Sequence, residues 1–263
     1  KEVADIGRKH GVPLIIDNTA APVICRPLEH GAAIVMHSLT KYIGGHGTTI
    51  GGIIVDGGNF DWAANPKRQP LFNEPDPSYN GAIWGRDVPK MTGANVAFAI
   101  RARVVLLRDL GAPLSPFNAF QIIQGLETVA IRMKQHCANA EKVVKFLETQ
   151  KKVKNVIYPT NHQGEIRDRA KRYMKGGYGS LVGMDLGSLE AGSKFIDNLK
   201  LLYHVANIGD ARSLAIHPAS TTHGQLNEKQ LAEAGVTPGY VRLSIGIEHP
   251  DDIIADIEQA LAA

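Results

Sequence analysis

The sequence has only two cysteines, Cys25 and Cys137, and they lie far apart. At most one disulfide is open to them. No CxxC pair offers a zinc framework, and the spacings of His37, His46, His217 and His223 match no zinc signature, so no metal site is expected. Free thiols in a reducing, cytoplasmic compartment are the simpler expectation. No apolar run approaches the roughly 18 residues that a membrane-spanning helix needs. No dense block of Lys or Arg appears, and the net charge of +3 is spread along the chain, which argues against nucleic acid as a partner. GxxxxGK[ST] is absent, and no GxGxxG opens a helix after a strand, which disfavours a generic nucleotide-binding module. There is no initiator Met and no signal-peptide pattern. Residues 1–10 read as the end of an amphipathic helix closed by Gly11, so the chain is expected to begin inside a domain, with an upstream segment belonging to it.

What is present is ordinary globular composition: 263 residues, 44% hydrophobic and 21% charged. Short runs rich in Ile and Val at 12–16, 33–36 and 50–55 end in Asp17, in His37-Ser38 and in Asp56. Such runs predict strands buried on both faces, and their alternation with helices predicts an α/β sheet. Ligands of α/β sheets gather at the carboxyl ends of strands, where these polar residues stand. Residues 56–92 hold five prolines and the aromatics Phe60, Trp62, Phe72, Tyr79 and Trp84. A loop of this length is functional or disordered, and its aromatics favour an ordered loop packed on something, with a neighbouring subunit as one option.

The pattern predicts a helix at 94–108 and another starting with Ser115 as N-cap and Pro116 at its first position. Helical spacing then holds from 126 to about 150 through Val129, Met133, Cys137, Ala140, Val144 and Leu147, long enough to bridge two domains. Strands are predicted at 153–158, 180–186, 203–208 and 241–246, and helices at 189–200 and 250–262, the last with acids in its first turn.

The richest stretch is Ser38-Leu39-Thr40-Lys41-Tyr42-Ile43-Gly44-Gly45-His46-Gly47. A lysine just past a strand can be desolvated, which frees its amine to attack a carbonyl. Ser38 and Thr40 either donate to a phosphate or cap a turn, and the glycines let backbone turn closely around a bound group. Asp17, 24 residues upstream in Ile15-Ile16-Asp17-Asn18-Thr19, supplies an acid at the previous strand's end.

The DNT segment followed by SxTK and YIGGHG resembles the Cys/Met-metabolism family of enzymes dependent on pyridoxal 5'-phosphate (PLP), of fold type I. The resemblance extends through Asn207-Ile208-Gly209-Asp210, Ser213-Leu214, His217-Pro218-Ala219-Ser220-Thr221-Thr222-His223 and Val241-Arg242-Leu243-Ser244-Ile245-Gly246-Ile247-Glu248. It implies an α/β architecture: residues 1–125 as the C-terminal part of the large PLP-binding domain, and 126–263 as a linking helix and a small C-terminal domain. It implies that Lys41 holds PLP as a Schiff base and acts as catalytic base. Asp17 keeps the pyridine nitrogen protonated, and Ser38 and Thr40 bind the phosphate. Arg242 takes the substrate carboxylate through its bidentate fork, beside Asn207; Ser213 either joins it or caps a turn.

The Pro/aromatic stretch, Gly111–Phe117 and Asn207 are similar to the sulfhydrylase branch. That branch replaces the acetate of O-acetylhomoserine with sulfide or a small thiol, giving homocysteine or methionine. The γ-lyases acting on cystathionine or methionine, users of O-succinylhomoserine, and a non-catalytic half that needs an upstream segment stay open. The family implies a homo-oligomer, a dimer of dimers that share active sites.

Overall fold

The computed structural model describes residues 1–263, the side chain of Glu228 excepted. The chain divides into two compact units, one of residues 1–19, 26–38 and 51–120, the other of residues 20–25, 39–50 and 121–263.

The first unit opens with α1 (Glu2–Lys9), after which Gly11 takes a positive φ of 64°. Its sheet comprises β1 (Ile15–Asp17), β2 (Ile34–Ser38) and β3 (Gly52–Asp56) in the order β1-β2-β3. β1 runs parallel to β2, with Asp17 opposite Met36, and β3 runs antiparallel, with Gly52 opposite Ser38. Only β2 has the buried apolar character expected of all three. Ile15, Ile53 and Ile54 are 48, 45 and 49% exposed. The expectation of strands covered on both faces is therefore corrected for β1 and β3, which form the edges of a three-stranded sheet within this unit.

The 56–92 segment is ordered and partly helical. It contains α2 (Pro70–Asn73) and α3 (Trp84–Thr92), and α4 (Ala97–Arg101) follows. Trp62, Phe72 and Trp84 are buried in a cluster with Ala33, Ile34, Val88 and Ala97. The Trp62 and Phe72 rings lie 4.4 Å apart. Each such aromatic contributes about 2–3 kcal/mol through buried area. Asp76 fastens the segment, accepting from Ser78 N (3.0 Å) and from Trp84 Nε1 (3.0 Å). The single helix predicted over 94–108 is instead α4 continued by a wider π-type stretch, Ala102–Arg108.

α5 (Pro116–Glu148) starts at the predicted proline and runs 33 residues. Its residues to Phe120 belong to the first unit and those from Gln121 to the second. The second unit adds β4 (Asn155–Ile157), α6 (Glu165–Tyr173), β5 (Leu181–Asp185), α7 (Leu189–Asp197), β6 (Tyr203–His204) and β7 (Leu214–Ile216). α8 (Glu228–Glu233), β8 (Tyr240–Ser244) and α9 (Pro250–Ala262) complete it. The sheet order is β4-β5-β8-β7-β6, antiparallel except for the β6–β7 pair. The sequence did not signal β7, only three residues long, or α6, a charged helix with no buried residue.

The apolar stripe of α5 at Ala140, Val144 and Leu147 packs with Val241 and Leu243 of β8 and Ile253 and Ile257 of α9 in one core. Asp256 of α9 closes that core from the side. Its carboxylate accepts the amides of Lys200, Leu201 and Leu202 at 2.8–2.9 Å, satisfying three donors at the approach to β6. A second cluster holds Leu39, Tyr42, Ile43, Ile122, Val129, Met133 and Cys137. Cys25 and Cys137 form no disulfide. Among the described residues, no helix is long and apolar enough to cross a membrane.

Candidate active site

In the first unit, the ends of β1 and β2 are tied by Thr19. Asp17 accepts the Thr19 amide at 2.9 Å, and the Thr19 hydroxyl accepts the Ser38 amide at 2.8 Å. Hydrogen bonds from the Thr19 hydroxyl and amide, with His37 adding a smaller attraction, hold the Asp17 carboxyl below its ordinary range. Asp17 thus stays ionised while exposed. His37, half-buried on β2, is pushed toward its neutral form by burial, against the pull of Asp17. Its Nδ1 is buried with no hydrogen-bond partner. Of the residues singled out in the sequence, the first unit therefore brings Asp17 and Ser38 together. Thr19, which the sequence marks only as shaping the turn, is the link between them.

In the second unit, Thr40 and Lys41 lie in the turn Leu39–Ile43, a π-type turn interrupted at Lys41 (φ −91°, ψ −132°). The Gly44 amide reaches five residues back to Leu39 O (2.9 Å), and the Gly45 amide reaches Lys41 O (2.7 Å). Wide turns of this kind are common where a fold presents a functional side chain. Lys41 Nζ donates to the side-chain oxygen of Asn207. Arg242 Nη2 donates to the main-chain oxygen of the same Asn207 (3.2 Å). Asn207 lies beyond the short β6, not inside the longer strand expected at 203–208. Arg242 alternates with Val241 and Leu243, which enter the core, and so projects from the other face of β8. Its Nε is buried without a partner.

Ser213 is fully buried. Its amide and hydroxyl donate to the Glu248 carboxylate (2.6 and 2.9 Å), and its hydroxyl accepts from Gly246 N (2.8 Å). It fastens the segment before β7 to the end of β8. Lys41, Asn207 and Arg242 are thus brought together, and Ser213 meets the chain just past Arg242's strand.

Tyr42, Arg132, His136 and Asn139 are functional candidates that no sequence motif singles out. Tyr42 has no exposure, and its hydroxyl lies 2.7 Å from that of Ser180. The other three are polar residues four and three apart beside the apolar stripe of α5, an interruption of helical patterning visible in the sequence.

Residues 1–262 of the chain match the family described as Cys/Met metabolism PLP-dependent enzymes. The chain belongs to this family. It is 51% identical to an O-acetyl-L-homoserine sulfhydrylase of Leptospira meyeri, over 98% of this chain and 60% of that protein. It is 46% identical to a homocysteine synthase of Schizosaccharomyces pombe, over 99% of the chain and 60% of the relative. A crystal structure of a Campylobacter jejuni protein assigned as O-acetylhomoserine (thiol)-lyase, carrying a pyridoxyl-lysine monophosphate, matches with a TM-score of 0.89. The two share 39% identity across the whole of this chain and 62% of that one. The fold is the α/β fold type I of PLP-dependent enzymes. The chain spans about 60% of the length of the relatives it matches.

The side chains present suit PLP. Lys41 faces a neutral amide oxygen, and no carboxylate neutralises it among the described residues. Asp17 is held ionised, as a partner for a protonated ring nitrogen must be. The unpartnered Arg242 Nε leaves a donor for an anion.

Proposed function

We propose that this chain is the lysine-bearing and carboxylate-binding part of a transferase that replaces the acetate of O-acetylhomoserine with sulfide or a small thiol, giving homocysteine or methionine. The observation that carries this reading is the pairing of Lys41 and Arg242 on one residue, Asn207: the amine on its side-chain oxygen and the guanidinium on its main-chain oxygen. An amine and a guanidinium held around one short segment suit an amino-acid substrate, with the carboxylate on Arg242 and Cα toward Lys41.

Lys41 would hold the cofactor covalently through its ε-amine, and the same amine is the group placed to move protons at the substrate's Cα and Cβ. Asp17 keeps the pyridine nitrogen protonated, and Ser38 and Thr40 give donors to the phosphate. Bound PLP supplies a conjugated ring that takes up electrons from the substrate carbon bonds. Asn207 orients both the amine and the guanidinium. Ser213 supports the carboxylate pocket through the loop it fastens. Acetate leaves Cγ, and the thiol takes its place.

The same reading takes residues 1–125 as part of the cofactor domain and 126–263 as linking helix and small domain. It places the whole protein in the cytoplasm as a homo-oligomer, a dimer of dimers. It is supported by relatives whose names carry this activity at 46–51% identity. The complete protein, given O-acetylhomoserine and sulfide, is expected to consume sulfide and release acetate. Release of ammonia and 2-oxobutyrate without sulfide uptake would mark a γ-lyase and reject the transferase.

A further inference from the structure

The buried face of α5 carries Arg132, His136 and Asn139, which are 6, 0 and 1% exposed. Arg132 donates to Tyr42 O (2.6 Å), Ile43 O (3.0 Å), Gly125 O (2.7 Å) and the Thr128 hydroxyl (3.2 Å). Among the described residues no carboxylate pairs with it. Stripping water from a cation matched only by neutral oxygens costs several kcal/mol. That cost lowers its proton affinity. An apolar side chain would fill the same space without it, so the guanidinium's value lies in what it holds.

What it holds is the backbone immediately after Lys41. His136 and Asn139 hold a different segment. His136 Nδ1 bonds Ile245 O (2.7 Å), and Asn139 donates to Gly246 O (3.0 Å) and Glu248 O (2.8 Å). That segment directly follows β8, which carries Arg242. The segment after Lys41 lies against the helix and its side chains without slack. A Cβ on Gly125 would come within 2.4 Å of Gly44 O, and one on Gly45 within 2.1 Å of Arg132 Nη1.

We propose that this face of α5 is a positioning rail that sets the distance between the Lys41 amine and the Arg242 guanidinium, Arg132 acting on the first and Asn139 on the second. The inference rests on the roles proposed for Lys41 and Arg242. A substrate anchored by its carboxylate at one end and attacked at Cα from the other is sensitive to that distance: a misplacement of about 1 Å costs about 100-fold in rate.

The test takes variants of the complete, cofactor-loaded protein through steady-state kinetics and denaturant unfolding, and their cofactor-free forms through hydrogen exchange. Arg132→Lys, a one-point donor, is expected to lower kcat about tenfold with KM within about twofold, and Asn139→Ser to raise KM about tenfold with kcat within about twofold. Without cofactor, exchange at the Gly44 and Gly45 amides rises only in Arg132→Lys, and exchange at the Gly246 and Ile247 amides only in Asn139→Ser. Should Arg132→Lys not fold, Thr128→Val, which removes one acceptor of Arg132, is expected to repeat its pattern in weaker form. Parallel losses of kcat and KM in both variants, in step with lost stability, or exchange that rises throughout the chain, would overturn the rail. Lys41→Ala separates the two failures. If it keeps full turnover, the reading of Lys41 is wrong; if it loses turnover while the α5 variants show no split, only the rail is wrong.

Discussion

Asp17 and Lys41 are presented in different ways. Asp17 closes a three-residue edge strand, its side chain in solvent, fixed by one threonine two residues away. Lys41 stands in a turn whose neighbours Leu39, Tyr42, Ile43, Gly44 and Gly45 are all buried, and whose carbonyls are gripped by a guanidinium 90 residues distant in sequence. The acid depends on local chain geometry. The amine depends on a packed core and on long-range polar contacts. Damage to the first unit's site should therefore cost chemistry with little stability, whereas damage to the groups that grip the Lys41 turn, though not to the amine itself, should cost both.

The largest expected effect lies at the amine itself. Lys41→Ala is expected to lower turnover by at least about 1,000-fold while the unfolding midpoint stays close to that of the parent, because the partly buried side chain belongs to none of the apolar clusters. Steady-state rates beside denaturant curves check this; a variant that loses stability in proportion would place Lys41 among the packing residues.

A pH dependence sharpens the contrast from the other side. Burial lowers the His136 pKa from 6.5 to about 4, so the unfolded chain takes up the proton first. The stabilisation is complete above pH 6.5, falls as pH drops from 6.5 to about 4, and is flat below that. Its size is about 3 kcal/mol. Denaturant midpoints across this window should show that slope in the parent and lose it in His136→Asn; an unchanged slope would contradict the assignment.

Asp256→Ala leaves three amides without their acceptor and is expected to cost about 2–3 kcal/mol, read from the same curves. The smallest expected effect belongs to the first unit. Thr19→Val removes the hydroxyl that accepts from Ser38 and donates to Asp17 and should cost only about 1 kcal/mol of stability. Its effect on cofactor affinity should be the larger one, and equal small effects on both would erase the contrast.

Much of the fold was legible because the sequence writes period and punctuation. Pro116 opens α5, Pro250 opens α9, an Ile-Val run marks β2, and apolar residues alternating with Arg242 mark β8. β7 was illegible because three residues carry no period. The exposure of β1 and β3 was illegible because an apolar run says what a strand would bury, not where in a sheet it lies. The candidate site was legible where residues cluster in sequence, as at Ser38–Gly47. The junction at Asn207 pairs residues 166 apart with Lys41. Nothing local in the sequence signals that Asn207 uses its side chain for the amine and its main chain for Arg242. The polar residues of α5 were visible as breaks in an apolar stripe, but their partners are backbone carbonyls, which every residue has and none advertises.

The central claim is that the ε-amine of Lys41 is the covalent attachment point for PLP. Reducing the complete, PLP-loaded protein with borohydride and mapping the label by peptide mass spectrometry tests it directly. The account predicts one pyridoxylated residue, Lys41, with loss of the visible cofactor absorbance. A label on any other lysine, or PLP that washes away after reduction, would contradict it.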